Sequence, residues 1–234
     1  MHPMVCRFNW MGKDVVIGSY GLIMLLAFAA GGAVALYLAR ARGYRPGYFI
    51  NHCALMGAAA MGGALLAGFV MFLPQRAGQA FAGHPAALVS WGGIMGGMAA
   101  MAFMAIKWKE DFIGLGDIFA PASLLSIGIG RIGCFLAGCC YGVRSTSFIT
   151  VDFSGTGSPA STMPQPLVPV QLISASLLIA AAALIIPPAA RKMKRGFPLG
   201  AAVITYSLSR FIIEFWRDDP RLFLLGLSDG QWFS

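Results

Sequence analysis

GIGRIGCFLAGCCYG, residues 128–142, ends a long apolar stretch that begins at residue 118. It places the charged side chain of Arg131 inside a segment long enough to cross a membrane. A charge at the centre of a membrane helix costs about 2.5–3.5 kcal/mol on insertion scales, so such a residue rarely lacks a function. The glycines let a second helix or a lipid headgroup approach the backbone. The stretch therefore predicts an anion-attracting site within a membrane.

The composition also indicates a membrane protein. Of the 234 residues, 58% are hydrophobic and 11% are charged, whereas a soluble domain carries about 25% charged residues. We therefore expect one transmembrane domain over residues 1–234. The formal net charge of +8 suits anionic lipid headgroups better than nucleic acid, because no basic platform with interleaved aromatic residues is present. The expected partners are the membrane and its lipids, with no nucleic acid.

Six apolar segments come close to the ~20 residues that a membrane-spanning helix needs. They are residues 15–39, 48–73, 86–106, 118–140, 170–186 and 197–216. The expected fold class is an all-α integral membrane protein, a bundle of about six transmembrane helices with a polar, glycine-rich intramembrane cavity. Pro187 and Pro188 are expected to end the fifth helix. Asp117 is expected to cap the fourth, with Pro121 in its first turn, where the missing N–H is harmless.

Basic residues are concentrated in alternate loops. Those after the first, third and fifth segments contain Arg40, Arg42, Arg45, Lys107, Lys109, Arg191, Lys192, Lys194 and Arg195. The positive-inside rule makes these loops cytoplasmic, so both termini are expected outside. The alternate loops hold few basic residues, Arg76 and Arg144. Residues 145–169, rich in Gly, Ser, Thr and Pro, would form an outer loop that either re-enters the membrane or covers a substrate.

A helical wheel of the fourth segment places several candidates together. One broad face carries Arg131, Cys134, Phe135, Gly138 and Gly142. Cys139 falls at the edge of this face, and Cys140 points away if the helix stays regular. Arg131 would then overlook a glycine-lined groove. The alternative is an arginine that snorkels or bonds helix carbonyls.

A second cluster lies in SRFIIEFWRDDP, residues 209–220. Arg210, Glu214 and Arg217 are spaced i, i+4, i+7 and so share one helix face. Glu214 is expected to satisfy Arg210 inside the protein, and Arg217 is expected near the outer interface, where a solvated helix end is the alternative. Arginines on two helices would hold a lipid phosphate well, because each guanidinium offers a forked pair of donors.

The five cysteines are Cys6, Cys53, Cys134, Cys139 and Cys140. None forms a C-x-x-C pair, and no histidine lies within a few residues of the last three. The sequence therefore indicates a zinc site only weakly, and no metal is expected. Cys53 is expected to be a packing residue. Cys134 or Cys139 could instead act as a nucleophile that forms a transient covalent lipid adduct, since a nearby arginine favours the thiolate.

The chain resembles a known family in several motifs. GDIFAP followed by GRIGCFLAGCCYG resembles the signature region of the bacterial prolipoprotein diacylglyceryl transferases. SYGLIMLLAF (19–28) resembles the family's first-span YG segment, SWGGIMGG (90–97) its HGG motif, and PVQL (169–172) its HPSQLYE segment. SRFIIEFWRDDP resembles the RxxxExxR segment, and SDGQWFS (228–234) resembles the terminal GQ motif.

The resemblance implies a multi-pass enzyme of the bacterial inner membrane that uses phosphatidylglycerol as its phospholipid donor. Such an enzyme transfers the diacylglyceryl group to the thiol of a lipobox cysteine in a preprolipoprotein. A thioether forms and glycerol phosphate leaves. No metal or cofactor is implied.

The resemblance also implies roles for individual residues. Arg131 and Arg210 would hold the phosphate and stabilise charge on the leaving group. Glu214 would orient Arg210, and Tyr20 and Gln171 would line the site. Cys139 is a candidate catalytic thiol from its residue type alone, since the family has a glutamate at that position. The other candidates for substrate binding are Trp91, Gly92, Gly93, Cys134, Gly138, Gly142 and Arg217. Gly92 and Gly93, with Gly96 and Gly97, also form G-x-x-x-G pairs that indicate a tight helix contact.

Several matched positions depart from the family pattern. The HGG histidine is Trp91 here, the HPSQLYE histidine is Val168, and the arginine of a second-span GGR motif is Ala64. An asparagine and a glutamate of the signature are Cys134 and Cys139. The family also has a further span after its GQ motif, so we expect a divergent paralogue or a shortened form. The acceptor stays open: a lipobox cysteine, another thiol, or none in a non-catalytic phospholipid-binding protein.

Overall fold

Six α-helices make up most of the described part of the chain. The computed structural model describes residues 4–10, 13–76, 90–147, 149–191, 193–218, 223–224, 227–228 and 231. The helices are α1 Ser19–Ala41, α2 Pro46–Arg76, α3 Ser90–Lys107, α4 Phe112–Ala137, α5 Val170–Ala190 and α6 Phe197–Glu214. The expected helical membrane bundle is confirmed.

Short strands accompany the helices at both ends of the chain. β1 Met4–Trp10 pairs antiparallel with β2 Lys13–Gly18, directly before α1. β3 Phe223–Leu224 pairs in the same way with β4 Leu227–Ser228. The first predicted helix was expected from residue 15, but residues 15–18 belong to β2. The β-branched pair Val15–Val16 suits a strand as well as a helix, and its pairing with β1 decides between them.

Four helices are long and apolar enough to cross a membrane. Among the described residues these stretches are Ser19–Ala41, Pro46–Val70, Phe112–Ala137 and Val170–Ala190. α3 contributes a shorter apolar stretch, Gly92–Lys107. α4 is the central helix, since it packs against α1, α5 and α6, whereas α2 packs mainly against α3.

The predicted start of the fourth helix was wrong. α4 begins at Phe112, so Asp117 lies in its second turn and Pro121 in its interior. The buried Asp117 carboxylate accepts hydrogen bonds from the backbone N–H groups of Gly196 (3.0 Å) and Leu199 (3.1 Å). These N–H groups belong to the first turn of α6 and the residue before it, where helices leave donors unsatisfied. Asp117 therefore caps α6 rather than α4.

The predicted end of the fifth helix was also wrong. α5 continues through Pro187 and Pro188 to Ala190. A proline ring fixes φ near the helical value of about −65°, so it can follow the helical path although it donates no hydrogen bond. Arg191, the residue after Ala190, is the C-cap of the helix, and its backbone N–H donates to the carbonyl of Pro188 (3.1 Å).

α2 and α3 cross at closely packed glycines. A Cβ atom on Gly96 would collide with the carbonyl oxygen of Ala59, and one on Gly92 would collide with Ala67 and Gly63. This is the tight helix contact that the overlapping G-x-x-x-G pairs indicated.

The basic loops gather at one end of the bundle. Arg42, after α1, contacts Asp117 of α4 (3.4 Å), and Arg195, before α6, pairs with Asp111 before α4. The Tyr44 hydroxyl donates to Glu110 in the α3–α4 turn (3.2 Å). The chain therefore brings the start of α1, the end of α4, the start of α5 and the end of α6 to the opposite end.

The core is divided between the two ends. At the end with the basic loops, a cluster of buried residues includes Leu38, Phe49, Met104, Leu115 and Ile118. Cys53 packs against this cluster, which confirms its predicted role. At the opposite end, the loop between α4 and α5 has its own small core of Tyr141, Phe153, Ala160 and Leu167.

Candidate functional site

A narrow polar pocket lies at the end opposite the basic loops. It is lined by Arg131, Cys140, Val170, Gln171, Ser174, Arg210, Ile213 and Arg217. Its volume is about 10 Å³, roughly the space needed by one water molecule. The pocket therefore presents guanidinium groups to a ligand, and a lipid headgroup requires it to open.

Glu214 joins two of the pocket's arginines. One carboxylate oxygen, Oε2, lies 3.1 Å from Nη1 of Arg210 and 3.1 Å from Nη1 of Arg217. The Glu214 side chain is completely buried, and the side chains of Arg210 and Arg217 are 14% and 7% exposed. Sharing one carboxylate fixes both forks in place.

Arg217 lies in the pocket and its side chain is only 7% exposed, so the alternative of a solvated helix end does not hold for it. α6 ends at Glu214, and the following residues turn back along the α4–α5 loop. The carbonyl of Trp216 accepts from Val143 N–H (2.9 Å). Gly142 pairs with Arg217 in an isolated antiparallel bridge. This bridge directs Arg217 towards Arg210 instead of towards solvent.

The pocket carries an excess of positive charge. Arg131 from α4 and Arg210 and Arg217 from the α6 end converge on it, with Glu214 as the acidic partner. Three arginines of the described lining thus meet one neighbouring carboxylate, an excess of two positive charges among these four residues. Buried charge without full compensation is costly. The arrangement therefore favours an anion that enters the pocket.

α4 ends earlier than the sequence pattern predicted. Gly138 adopts a left-handed conformation (φ 64°), and its N–H donates to the carbonyl of Phe135 (3.1 Å). A Cβ at Gly138 would also meet the side chain of Ser158. The prediction that Cys140 points away was wrong, because the chain leaves the helix before it and Cys140 lines the pocket.

Three thiols form a cluster beside the arginines. The Sγ atoms of Cys134, Cys139 and Cys140 all lie within 4.8 Å of one another. All three cysteines are free and partly buried. Sequence reasoning missed this cluster because it extended the helix to residue 140. The signal that could have found it is Gly138, since a left-handed glycine commonly ends a helix.

Gln171 connects the start of α5 to the cysteine turn. Its side chain is buried, and its Nε2 donates to the carbonyl oxygen of Cys139 (2.8 Å). Its Oε1 has no hydrogen-bond partner among the described residues. Gln171 therefore holds the turn in place and offers one acceptor beside the pocket.

Comparison with known proteins identifies the family. The family model for prolipoprotein diacylglyceryl transferase matches residues 8–234. The chain belongs to this family. A Clostridium tetani phosphatidylglycerol–prolipoprotein diacylglyceryl transferase is 31% identical over 225 residues, covering 93% of this chain and 88% of that protein.

Two further relatives match over shorter stretches. Phosphatidylglycerol–prolipoprotein diacylglyceryl transferase 2 of Clostridium perfringens is 36% identical over 147 residues. That match covers 62% of this chain and 56% of the relative. The Idiomarina loihiensis phosphatidylglycerol–prolipoprotein diacylglyceryl transferase is 32% identical over 154 residues, with coverage of 64% and 56%. The chain thus spans a little over half of these two relatives.

The arginine pocket contains only some of the site residues that the sequence predicted. Tyr20, at the start of α1, packs close to Gly133 and lies within electrostatic reach of Arg131 and the three cysteines. Gly142 lies at a tight backbone crossing, where an added Cβ would come within 2.6 Å of the carbonyl oxygen of Val168. Both residues therefore adjoin the pocket without belonging to its lining.

The α3 candidates lie elsewhere. Gly92 contacts α2, and a Cβ on Gly93 would lie 3.3 Å from the carbonyl oxygen of Ala60. The structure thus places both glycines at the α2–α3 crossing and not in the arginine pocket. Trp91 is in the first turn of α3, and the position of its side chain lies outside the described part of the structure.

Proposed function

We propose that this protein is a membrane transferase that moves a diacylglyceryl group from a phosphatidylglycerol-like donor to a thiol acceptor. The observation that supports it best is the convergence of Arg131, Arg210 and Arg217 on one pocket, with Glu214 fixing two of them. Relatives that match this chain carry the name phosphatidylglycerol–prolipoprotein diacylglyceryl transferase. A preprolipoprotein with a lipobox cysteine is the proposed acceptor.

The arginines act on the donor phosphate. Each guanidinium presents paired N–H donors to phosphate oxygens, which positions the headgroup. The acceptor sulfur attacks the glycerol carbon that carries the phosphate ester, a C–S bond forms, and the C–O bond breaks. The electron pair of that bond leaves with glycerol phosphate. Aimed donors stabilise the negative charge that develops on the leaving oxygen.

Glu214 contributes by holding the arginines rather than by accepting a proton. Its Oε2 is bound by both Arg210 and Arg217. The carboxylate is therefore engaged by the two guanidiniums and is not free to receive the proton of a thiol. The acceptor thiol must therefore lose its proton to another group.

The proposed location is the inner membrane of a bacterium, with the arginine pocket in the outer half and the N-terminus outside. The gathering of the basic loops at the opposite end supports this orientation, because such loops face the cytoplasm. An outer position also suits a protein substrate that has crossed the membrane.

A transfer assay tests the proposal. The purified full chain is mixed with phosphatidylglycerol labelled in its diacylglyceryl part and with a synthetic lipobox peptide, and the modified peptide is measured by mass spectrometry. We expect a thioether-linked product and its loss in Arg210→Ala. Arg144→Ala is the matched control, since Arg144 is exposed in the α4–α5 loop. No product from the parent chain with any thiol peptide would contradict the proposal.

In a second candidate function, a cysteine of this chain acts as the nucleophile and forms a transient covalent adduct with the donor lipid. The sequence pointed to Cys134 or Cys139 for this role, and we now propose Cys140 instead, because its side chain lines the arginine pocket. Intact-mass measurement of the protein after incubation with donor lipid, without acceptor, tests it. An added diacylglyceryl mass on Cys140 would favour this route over direct transfer.

A further inference from the structure

The cysteine cluster has the geometry of a metal site. The Sγ atoms of Cys134, Cys139 and Cys140 lie within 4.8 Å of one another. Three thiolates that bind one Zn²⁺ at about 2.3 Å are about 4 Å apart. The cluster therefore needs to contract by less than about 1 Å to hold an ion.

The backbone is arranged to bring these thiols together. Cys140 has φ 55°, a left-handed conformation that residues with a Cβ rarely adopt. Such strain persists only where the surroundings impose it, and it is common at functional sites. Gln171 holds the carbonyl of Cys139, and the left-handed Gly138 ends α4 between Cys134 and Cys139.

We propose that Cys134, Cys139 and Cys140 bind one thiophilic metal ion, represented by Zn²⁺, whose open fourth position faces the arginine pocket and takes the acceptor thiol. This inference rests on the proposed function and names the group that would favour the thiolate form of the acceptor. A three-ligand site with one open position is typical of catalytic zinc.

The charges around the cluster support the proposal. The three cysteines release three protons on binding, and Zn²⁺ with three thiolates carries one negative charge. The arginines of the pocket exceed Glu214 by two positive charges among the described lining residues. The bound site would offset one of these charges, and a donor with one phosphate charge would offset the other.

The proposal also supplies a missing chemical step. Glu214 is occupied by two arginines, and the described lining contains no histidine. A thiol that coordinates a metal loses its proton outright. On binding, the acceptor thiol would pass its proton to water. Its sulfur would then supply the electron pair of the new C–S bond, and the electron pair of the broken C–O bond would leave with glycerol phosphate. The thioether product then leaves the coordination site, because it is a weaker ligand than a thiolate.

Metal content tests the site directly. The full chain is purified in detergent under reducing conditions with a tag that contains no histidines, and bound zinc is measured by elemental mass spectrometry. We expect one ion per chain, and in the Co²⁺-loaded protein the near-ultraviolet absorption of thiolate-bound cobalt. The single variants Cys134→Ser, Cys139→Ser and Cys140→Ser should each lower the affinity for Zn²⁺ at least tenfold.

Cys53→Ser is the matched control and should keep the ion, since Cys53 packs on the core at the other end of the bundle. The Co²⁺ spectrum of the parent chain needs no variant, so poor folding of a variant leaves the proposal testable. A parent chain that binds neither Zn²⁺ nor Co²⁺ overturns it. A second result also overturns it: no metal binding, together with a protein mass that is lower by two hydrogen atoms under non-reducing conditions. That mass would show that two of the cysteines form a disulfide.

The transfer assay separates this proposal from the proposed function. Transfer that proceeds in the metal-free protein overturns the metal's role and leaves the transferase intact. A stoichiometric ion without any transfer to thiol peptides keeps the metal site and contradicts the transferase. Restoration of activity by added Zn²⁺ after chelation supports both.

Discussion

Glu214 shows how one side chain can organise a charged pocket. Its Oε2 is shared by Arg210 and Arg217 at equal distances of 3.1 Å. The carboxylate has no exposed surface, so water screens these interactions little. Removing it would take away the carboxylate that two neighbouring, poorly solvated guanidiniums share.

Glu214→Ala should destabilise the protein strongly. Breaking a buried ion pair by removing one partner costs about 3–5 kcal/mol. The matched variant Asp218→Ala removes an exposed carboxylate four residues later and should have little effect. Thermal unfolding of the two variants in detergent measures the difference. Equal midpoints for both would contradict the proposed role of Glu214.

Arg131 contributes geometry as well as charge. Arg131→Lys keeps the charge but loses the planar fork of donors. We expect the rate of diacylglyceryl transfer to fall about a hundred- to a thousand-fold, the usual cost of losing one aimed donor. The exposed Arg144→Lys serves as control. Full activity in Arg131→Lys would count against a phosphate held by guanidinium forks.

At the level of elements, Asp117 couples α4 to α6. Its carboxylate accepts hydrogen bonds from the N–H groups of Gly196 and Leu199 and also contacts Arg42. Asp117→Ala should lower the free energy of unfolding by about 0.5–2 kcal/mol, the usual cost of losing an N-cap side chain. Asp117→Asn keeps one acceptor oxygen and should lose less. An alanine variant as stable as the parent protein would refute the cap.

The α2–α3 crossing depends on the absence of a Cβ at its closest glycines, and Gly96 is one of them. A Cβ at Gly96 would collide with the carbonyl of Ala59, whereas one at Gly97 would lie an ordinary 3.4 Å from the flexible end of Met56. Both substitutions by alanine gain helix propensity of about 1 kcal/mol. Gly97→Ala should therefore be neutral or stabilising, and Gly96→Ala destabilising. Unfolding midpoints measured side by side check this, and the reverse order would disprove the contact.

Hydropathy predicted the six helices well because each is a continuous apolar stretch. It failed where a tertiary contact reversed a local signal. Asp117 was predicted to cap the start of α4. Its carboxylate instead accepts a hydrogen bond from Gly196 before α6, and this contact stabilises the charge inside α4. Arg217 resembled a solvated helix end until its bridge to Gly142 placed it in the pocket. These contacts join residues far apart in sequence, so spacing alone does not reveal them.

The cysteine cluster was hidden for a more local reason. Cys134, Cys139 and Cys140 lie in one short stretch, yet a regular helix would separate Cys140 from the other two. The left-handed turns at Gly138 and Cys140 bring the thiols together. Glycine marked the first turn in the sequence, and nothing in the residue type of Cys140 marked the second.

On the scale of the whole molecule, the two ends of the bundle have different electrostatic roles. At one end, basic loop residues are paired with Asp111 and Asp117. At the other, three arginines with one carboxylate line the pocket. The first pattern suits anchoring at a cytoplasmic surface, and the second suits the capture of an anionic headgroup.

Thiol labelling in intact cells determines which end faces out. Lys194→Cys places a probe among the basic loops, and Thr162→Cys places one in the α4–α5 loop, both at exposed positions. Because basic loops are retained on the cytoplasmic side, a membrane-impermeant maleimide should label Thr162→Cys in intact cells. It should label Lys194→Cys only after the cells are opened, with the parent chain as background. Efficient labelling of Lys194→Cys in intact cells would invert the topology and place the arginine pocket in the inner leaflet, where a translocated lipobox cysteine could not reach it.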